Sequence, residues 1–153
     1  MSSIKVICSI QEGALPPETK NQWESTLANL YMKHLSTPVS LKVIWLSIPS
    51  GQAFLAGKAD STATLLVPVP NHTPQALRAQ FLYGVLDEWC GLTATKRDEV
   101  VISAANVELA DQFMKENQRR FSPWVRALTV MRVLGKAVMA KIKTGRLETH
   151  INP

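Results

Sequence analysis

The feature that most constrains this chain is an internal repeat. A strand-like run, IKVICSI, is followed by a helix-patterned stretch from Pro17 to about Leu35 and a second strand-like run, LKVIWLSI. The same order returns as ATLLVPV, HTPQALRAQFLYGVLDEWCG and EVVISA. Pro17 stands 26 residues before Val43, and Pro74 stands 26 before Val100. A shift of 57 residues therefore superimposes both helix starts and both following strands. Self-similarity at a fixed period points to one supersecondary unit present twice. Here that unit is βαβ, whose parallel strands need a right-handed crossover.

The helices carry one apolar stripe each. Trp23, Leu27, Leu30, Tyr31 and His34 fall at i, i+4, i+7, i+8 and i+11, and Leu77, Phe81, Val85 and Trp89 recur every fourth residue. Thr73 reads as an N-cap with Pro74 at the first helical position, and Gly91 as a stop. Single stripes allow both helices to lie on the same face of a four-stranded sheet. The expected class is α+β, with two tandem βαβ units over about 3–58 and 61–115 and a C-terminal helix. A generic α+β domain whose elements merely alternate is the competing reading.

Composition narrows the function classes. The chain has 153 residues, 46% hydrophobic and 19% charged, which suits one globular domain. No window nears the roughly 18–20 uninterrupted apolar residues of a membrane span. The amino end lacks the pattern of a secretory signal. Cys8 and Cys90 are too few for a disulfide framework and have no metal-ligand spacing, so a reducing, cytoplasmic setting is expected. The net charge of +5 belongs to one end: residues 1–118 hold 9 Lys/Arg against 11 Asp/Glu, and residues 119–153 hold 8 against 1. No Gly-rich phosphate loop, nucleophile elbow or zinc pattern is present, and no cofactor is expected.

The stretch TPVSLKVIWLSIPSGQAFLAGK resembles the second strand and following turn of the tautomerase superfamily, in particular the 4-oxalocrotonate tautomerase group. Pro38, Ser40, Leu41, Lys42, Val43, Ile44 and Trp45 follow that pattern, and Gly51, Phe54 and Gly57 follow its turn. ICSIQEG resembles the amino-terminal strand, ending in Glu12–Gly13, and two units in one chain resemble the larger members. The resemblance spans about residues 3–115. It implies a homotrimer acting on a small carbonyl acid by keto–enol tautomerisation, with an amino-terminal proline as base in a pocket near a subunit boundary. An amine there, ordinarily of pKa about 7.7–8.0, is made neutral by burial and neighbouring cations.

This chain departs from that pattern at its start. Ser2 follows Met1, and loss of Met1 is expected to leave Ser2 as the amino end. Anchoring on Glu12–Gly13 sets Ile4 at the proline position, while sliding the strand sets Ser2 or Ser3 there. Ala14 stands where the family has an arginine. The resemblance then implies Ser2 as catalytic amine, able to act as base or to form an imine. It implies Lys42 as catalytic and carboxylate-binding cation, a point charge in place of a bidentate fork. Phe54 becomes the aromatic wall, although strict alignment favours Ala53. The bland readings are a frayed terminus for Ser2, a solvated edge lysine for Lys42, and core or subunit contact for Phe54. A trimer that kept the scaffold and lost the chemistry, serving as a binding or interaction protein, is the rival function.

The remaining candidates read as structural. His34, His72 and His150 lie far apart, with surface or capping roles; Cys8 and Cys90 are small hydrophobes; Asp87–Glu88 is a solvated face. In residues 119–153, Ser122 caps a helix with Pro123 at its first position. Trp124, Leu128, Met131, Leu134, Val138 and Ile142 form its stripe, with Arg126, Arg132, Lys136, Lys141, Lys143 and Arg146 largely off it. Packing on the body or another subunit is expected. An anionic membrane surface ranks second, and no nucleic-acid partner is expected, because no aromatic–basic platform accompanies the charge.

Overall fold

In a computed structural model of the chain, residues 3–36, 38, 40–119, 131 and 148–150 are described, with 118, 119 and 148–150 described by backbone alone. The elements are β1 (Ser3–Gln11), α1 (Pro17–Leu35), β2 (Ser40–Ile48), β3 (Phe54–Leu55), β4 (Lys58–Ala59), β5 (Ala63–Leu66), α2 (Gln75–Thr93), β6 (Val100–Ser103), α3 (Val107–Arg119) and β7 (Glu148–His150). The main sheet runs β6-β5-β1-β2-β7. β1 pairs β2 in parallel from Ser3↔Ser40 to Gln11↔Ile48, and β5 pairs β6 in parallel. The two units meet through the antiparallel β1–β5 ladder. The expected α+β fold of two βαβ units is the fold of the chain.

Alternation along β1 explains the layering. Ile4, Val6, Cys8 and Ile10 are buried, while Ser3, Lys5, Ile7, Ser9 and Gln11 face the other way. The buried set packs under Trp23, Leu27, Leu30 and Tyr31 of α1 and Phe81, Val85 and Trp89 of α2. The duplication persists in this core. Trp23, Leu27 and Tyr31 recur 58 residues on as Phe81, Val85 and Trp89, and Ile4, Val6, Cys8 and Ile10 recur 59 on as Ala63, Leu65, Val67 and Val69. Aromatic rings join the halves: Trp23 meets Trp89 edge-on at 5.0 Å, and Tyr31 meets Phe81 at 4.8 Å. Each such pair adds about 0.5–1.5 kcal/mol beyond its buried area. α1 and α2 approach closely at Gly84, where a Cβ would lie 3.0 Å from His34 Nε2.

Several local expectations need correcting. α2 starts at Gln75 with Pro74 as its N-cap, and the Thr73 hydroxyl donates to the Pro70 carbonyl at 2.6 Å instead of capping the helix. Leu77 stands outside the core cluster at 40% exposure. The helix also continues past Gly91 and closes at Ala94, whose N–H bonds the Cys90 carbonyl in a left-handed turn. A glycine inside a helix costs only about 1 kcal/mol, and Leu92 beyond it packs on the core.

Besides the short β3–β4 hairpin, two elements beyond the repeat were not anticipated. β7 adds a fifth strand beside Trp45–Ser47 of β2. α3 covers part of the sheet face opposite α1 and α2, where Val107, Ala110 and Met114 meet Ile7, Ile44 and Leu66 around a small cavity. Its start is tied down by Val107 N–H to the Val69 carbonyl at 3.0 Å and by Arg78, which donates to the Ala104 carbonyl and Asn106 Oδ1. The helix expected to open at Ser122 and Pro123 lies outside the described residues except for Met131, which is helical and 71% exposed. No helix among the described residues is long and apolar enough to cross a membrane.

Candidate active site

The site is assembled at the amino ends of β1 and β2. Because these strands run parallel and in register, Ser3 lies opposite Ser40 and Lys5 opposite Lys42. Adjacent strands sit about 4.7–4.9 Å apart, so two lysines leave neighbouring backbones on one face. That face is the one turned from α1 and α2 and partly covered by α3. Lys5 Nζ lies 3.5 Å from Asp111 Oδ1 on α3. Lys42 is exposed and has no ion-pair partner among the described residues.

Beneath α3 a cavity beside Lys5 and Asp111 holds only about 20 Å³ and is also bordered by Ser3, Ile4, Ile7 and Ile44. That is room for about one water. Outside it, Glu108, Asp111, Gln112, Lys115 and Glu116 line an open groove of about 330 Å³ along α3. The amino end of the strands is thus cationic on the sheet and acidic on the helix above it.

The sequence candidates are distributed unevenly. Ser2 lies outside the described residues; its neighbour Ser3 begins β1. Ile4, one alignment of the proline position, is 1% exposed and belongs to the buried core, while also bordering that small cavity. Phe54 opens the β3–β4 hairpin and is 66% exposed. The hairpin turns through Ala56 and Gly57, both at positive φ, between the Leu55–Lys58 pair, the geometry of a two-residue primed turn. It follows the carboxyl end of β2. Six residue steps lead from Lys42 to Ile48, about 20 Å at roughly 3.3 Å each. Within one protomer, Lys42 lies near the amino end of β2, and Phe54 follows its carboxyl end in the separate two-stranded β3–β4 sheet.

Elsewhere several titratable side chains are engaged in the fold. The Trp45 indole donates to Glu24 Oε1 at 2.9 Å, and Lys20, 6% exposed, holds its ammonium 5.3 Å from the Trp45 ring. Cys8 is buried and Cys90 half-buried, both as free thiols. Burial pushes the Cys8 thiol up to about 12, against a smaller lowering by the neighbouring Trp23 side chain, so it stays protonated and inert. Desolvation likewise raises Cys90, opposed by the charge of Arg97. Among the described residues no three His, Cys, Asp or Glu side chains gather as a metal site.

Sequence reasoning missed Lys5 and Asp111. A signal for the second existed: Val107, Ala110 and Met114 recur at gaps of 3 and 4, the period of a helix with one apolar face. Reading it would have set Asp111 beside that face.

No protein-family model matches the chain, and none of the curated proteins matches it. Solved structures do. The native protein Ps01740 superposes with TM-score 0.63 at 20% identity, over 67% of this chain and 93% of that one. A wild-type fused 4-OT forming a symmetric trimer gives 0.61 at 14% identity, over 67% and 85%. Pt0534 inactivated by 2-oxo-3-pentynoate gives 0.61 at 19%, over 67% and 84%. At such identities the likeness is one of architecture, and the chain has the tautomerase-superfamily fold.

Proposed function

We propose that this chain is a tautomerase-like enzyme that interconverts keto and enol forms of a small carbonyl acid, working as a homotrimer. The observation that carries the reading is the placement of Lys42. It is an exposed cation with no ion-pair partner among the described residues, beside the start of the strand that leads from the amino end. Its ammonium grips the substrate carboxylate by a charge-assisted hydrogen bond. The amine of Ser2, one peptide link before Ser3, removes the proton alpha to the carbonyl and returns it to the enolate oxygen. Cations nearby favour the neutral amine that this step needs. Positioned acid–base groups of this kind contribute about 10²- to 10⁴-fold in rate. Phe54 excludes water from the pocket of a neighbouring copy, since in its own protomer it follows the far end of β2 from Lys42. The fused 4-OT trimer is the precedent in support of this assembly. The same reading assigns a cytoplasmic setting, supported by the two free thiols.

The test is turnover by the intact chain of phenylenolpyruvate, which has one carboxylate, with 2-hydroxymuconate, which has two, for comparison. Lys42→Met is expected to lower kcat/KM about 10- to 100-fold, the worth of one charge-assisted hydrogen bond. Treatment with 2-oxo-3-pentynoate, which inactivates Pt0534, is expected to modify the amino-terminal peptide. No rate above buffer, or a rate unchanged when the amino end is blocked, retires the enzymatic reading. It would leave the second one, a non-catalytic trimer serving as a binding or interaction protein. The absence of proline at position 2 and the alanine at position 14 favour that alternative.

A further inference from the structure

We infer that Asp111 makes this site selective for monocarboxylates over dicarboxylates, by occupying one of its two cations. The inference rests on the reading of Lys42 as a carboxylate-binding residue and goes on to name the substrate class. Lys5 and Lys42 lie directly opposite on adjacent parallel strands, on the same face. Like charges in that relation repel, so an anion is favoured between or above them. The fold supplies one anion from within: Asp111 Oδ1, 3.5 Å from Lys5 Nζ. Lys42 receives none among the described residues. Two cations and one built-in carboxylate leave a single positive charge for a ligand.

The surroundings oppose a second ligand carboxylate in two independent ways. Under α3 the cavity beside Lys5 holds about 20 Å³, enough for about one water and too little for a carboxylate. Along the outside of α3 the groove presents Glu108, Asp111 and Glu116 against one cation, Lys115. A dicarboxylate anchored on Lys42 must therefore displace Asp111 from Lys5 or lay its far end against an acidic wall. A monocarboxylate meets neither obstacle, and its apolar end can rest near the half-buried Ile44, two residues along β2 on the same face.

The experiment compares two four-carbon unsaturated acids, crotonate with one carboxylate and fumarate with two, by NMR titration of the intact chain at fixed ionic strength. Wild type is expected to bind crotonate more tightly than fumarate, with shifts at Lys42 in both titrations. Asp111→Asn frees Lys5 and is expected to move the ratio toward fumarate by about two- to fivefold, the range for an exposed ion pair. Asp111→Glu, which keeps the charge, is expected to restore the wild-type ratio; a merely structural role for Asp111 would leave the ratio unmoved in both variants. Fumarate binding at least as tightly as crotonate in wild type overturns the inference while the carboxylate role of Lys42 stands. So does a folded Asp111→Asn variant with an unchanged ratio. Neither acid perturbing Lys42 overturns both the inference and the reading beneath it.

Discussion

Alkaline pH is expected to destabilise this protein through Cys8. The residue sits mid-strand in β1, opposite Trp45 on β2 and Leu65 on β5, with no exposed surface. Burial lifts its thiol from an ordinary 9.0 to about 12; the neighbouring Trp23 side chain lowers it somewhat, and the charge of Glu24 adds a small rise. The native state therefore keeps the proton until about pH 12, whereas the unfolded chain releases it from about pH 9. Above pH 9 the unfolded state binds fewer protons, so stability falls as pH rises, by about 1.4 kcal/mol per unit. The contribution is intact below pH 9 and lost toward pH 12. Between pH 8 and pH 10 the loss is about 1.4 kcal/mol, and across the whole window about 4 kcal/mol. Tyr31, whose phenol is also raised by burial, adds to the slope only above its ordinary value of 10.0. Urea unfolding of wild type and Cys8→Ala at pH 8, 9 and 10 measures the effect. The variant starts from lower stability because it leaves a void, yet its stability is expected to stay nearly level over that range. An equal alkaline slope in both proteins would refute the argument. So would a native Cys8 that reacts with Ellman's reagent at pH 9 as fast as Cys90.

Two substitutions test the packing between the halves. The Tyr31 hydroxyl donates to the buried Pro68 carbonyl at 2.6 Å, so Tyr31→Phe strands that acceptor and is expected to cost about 1–3 kcal/mol; a denaturation midpoint within error of wild type would contradict it. At Gly84 an added Cβ would meet His34 Nε2 at 3.0 Å and Leu30 Cδ2 at 3.4 Å. The His34 ring ends a half-exposed side chain and can yield by a few tenths of an ångström, so Gly84→Ala is expected to raise the melting temperature through a helix-propensity gain of about 1 kcal/mol. Gly84→Leu cannot be accommodated so simply and is expected to lose about 1–3 kcal/mol by prising α1 from α2. Thermal melts of both variants decide it, and two shifts of the same sign would show that the helices do not meet there.

What the sequence determined by itself was the doubled βαβ plan. Its evidence was one-dimensional: helix stripes from Trp23 to Tyr31 and from Phe81 to Trp89, and strand runs at a constant spacing. Those positions are fixed by which face must be buried, a local property that periodicity reports directly. The left-handed closures at Ser36 and Ala94, with no glycine to mark them, were not legible in this way. Nor was β7, three residues whose strand character exists only through pairing with Trp45–Ser47. The site lay further out of reach. Lys42 was singled out by the family pattern, but the partnership of Lys5 with Asp111 joins residues 106 positions apart. It depends on the strand register and on α3 turning back over the face that the repeat leaves open. Only the tertiary structure decides which charges are neutralised before a ligand arrives, because electrostatic pairing depends on distance in space, and a sequence records only distance along the chain.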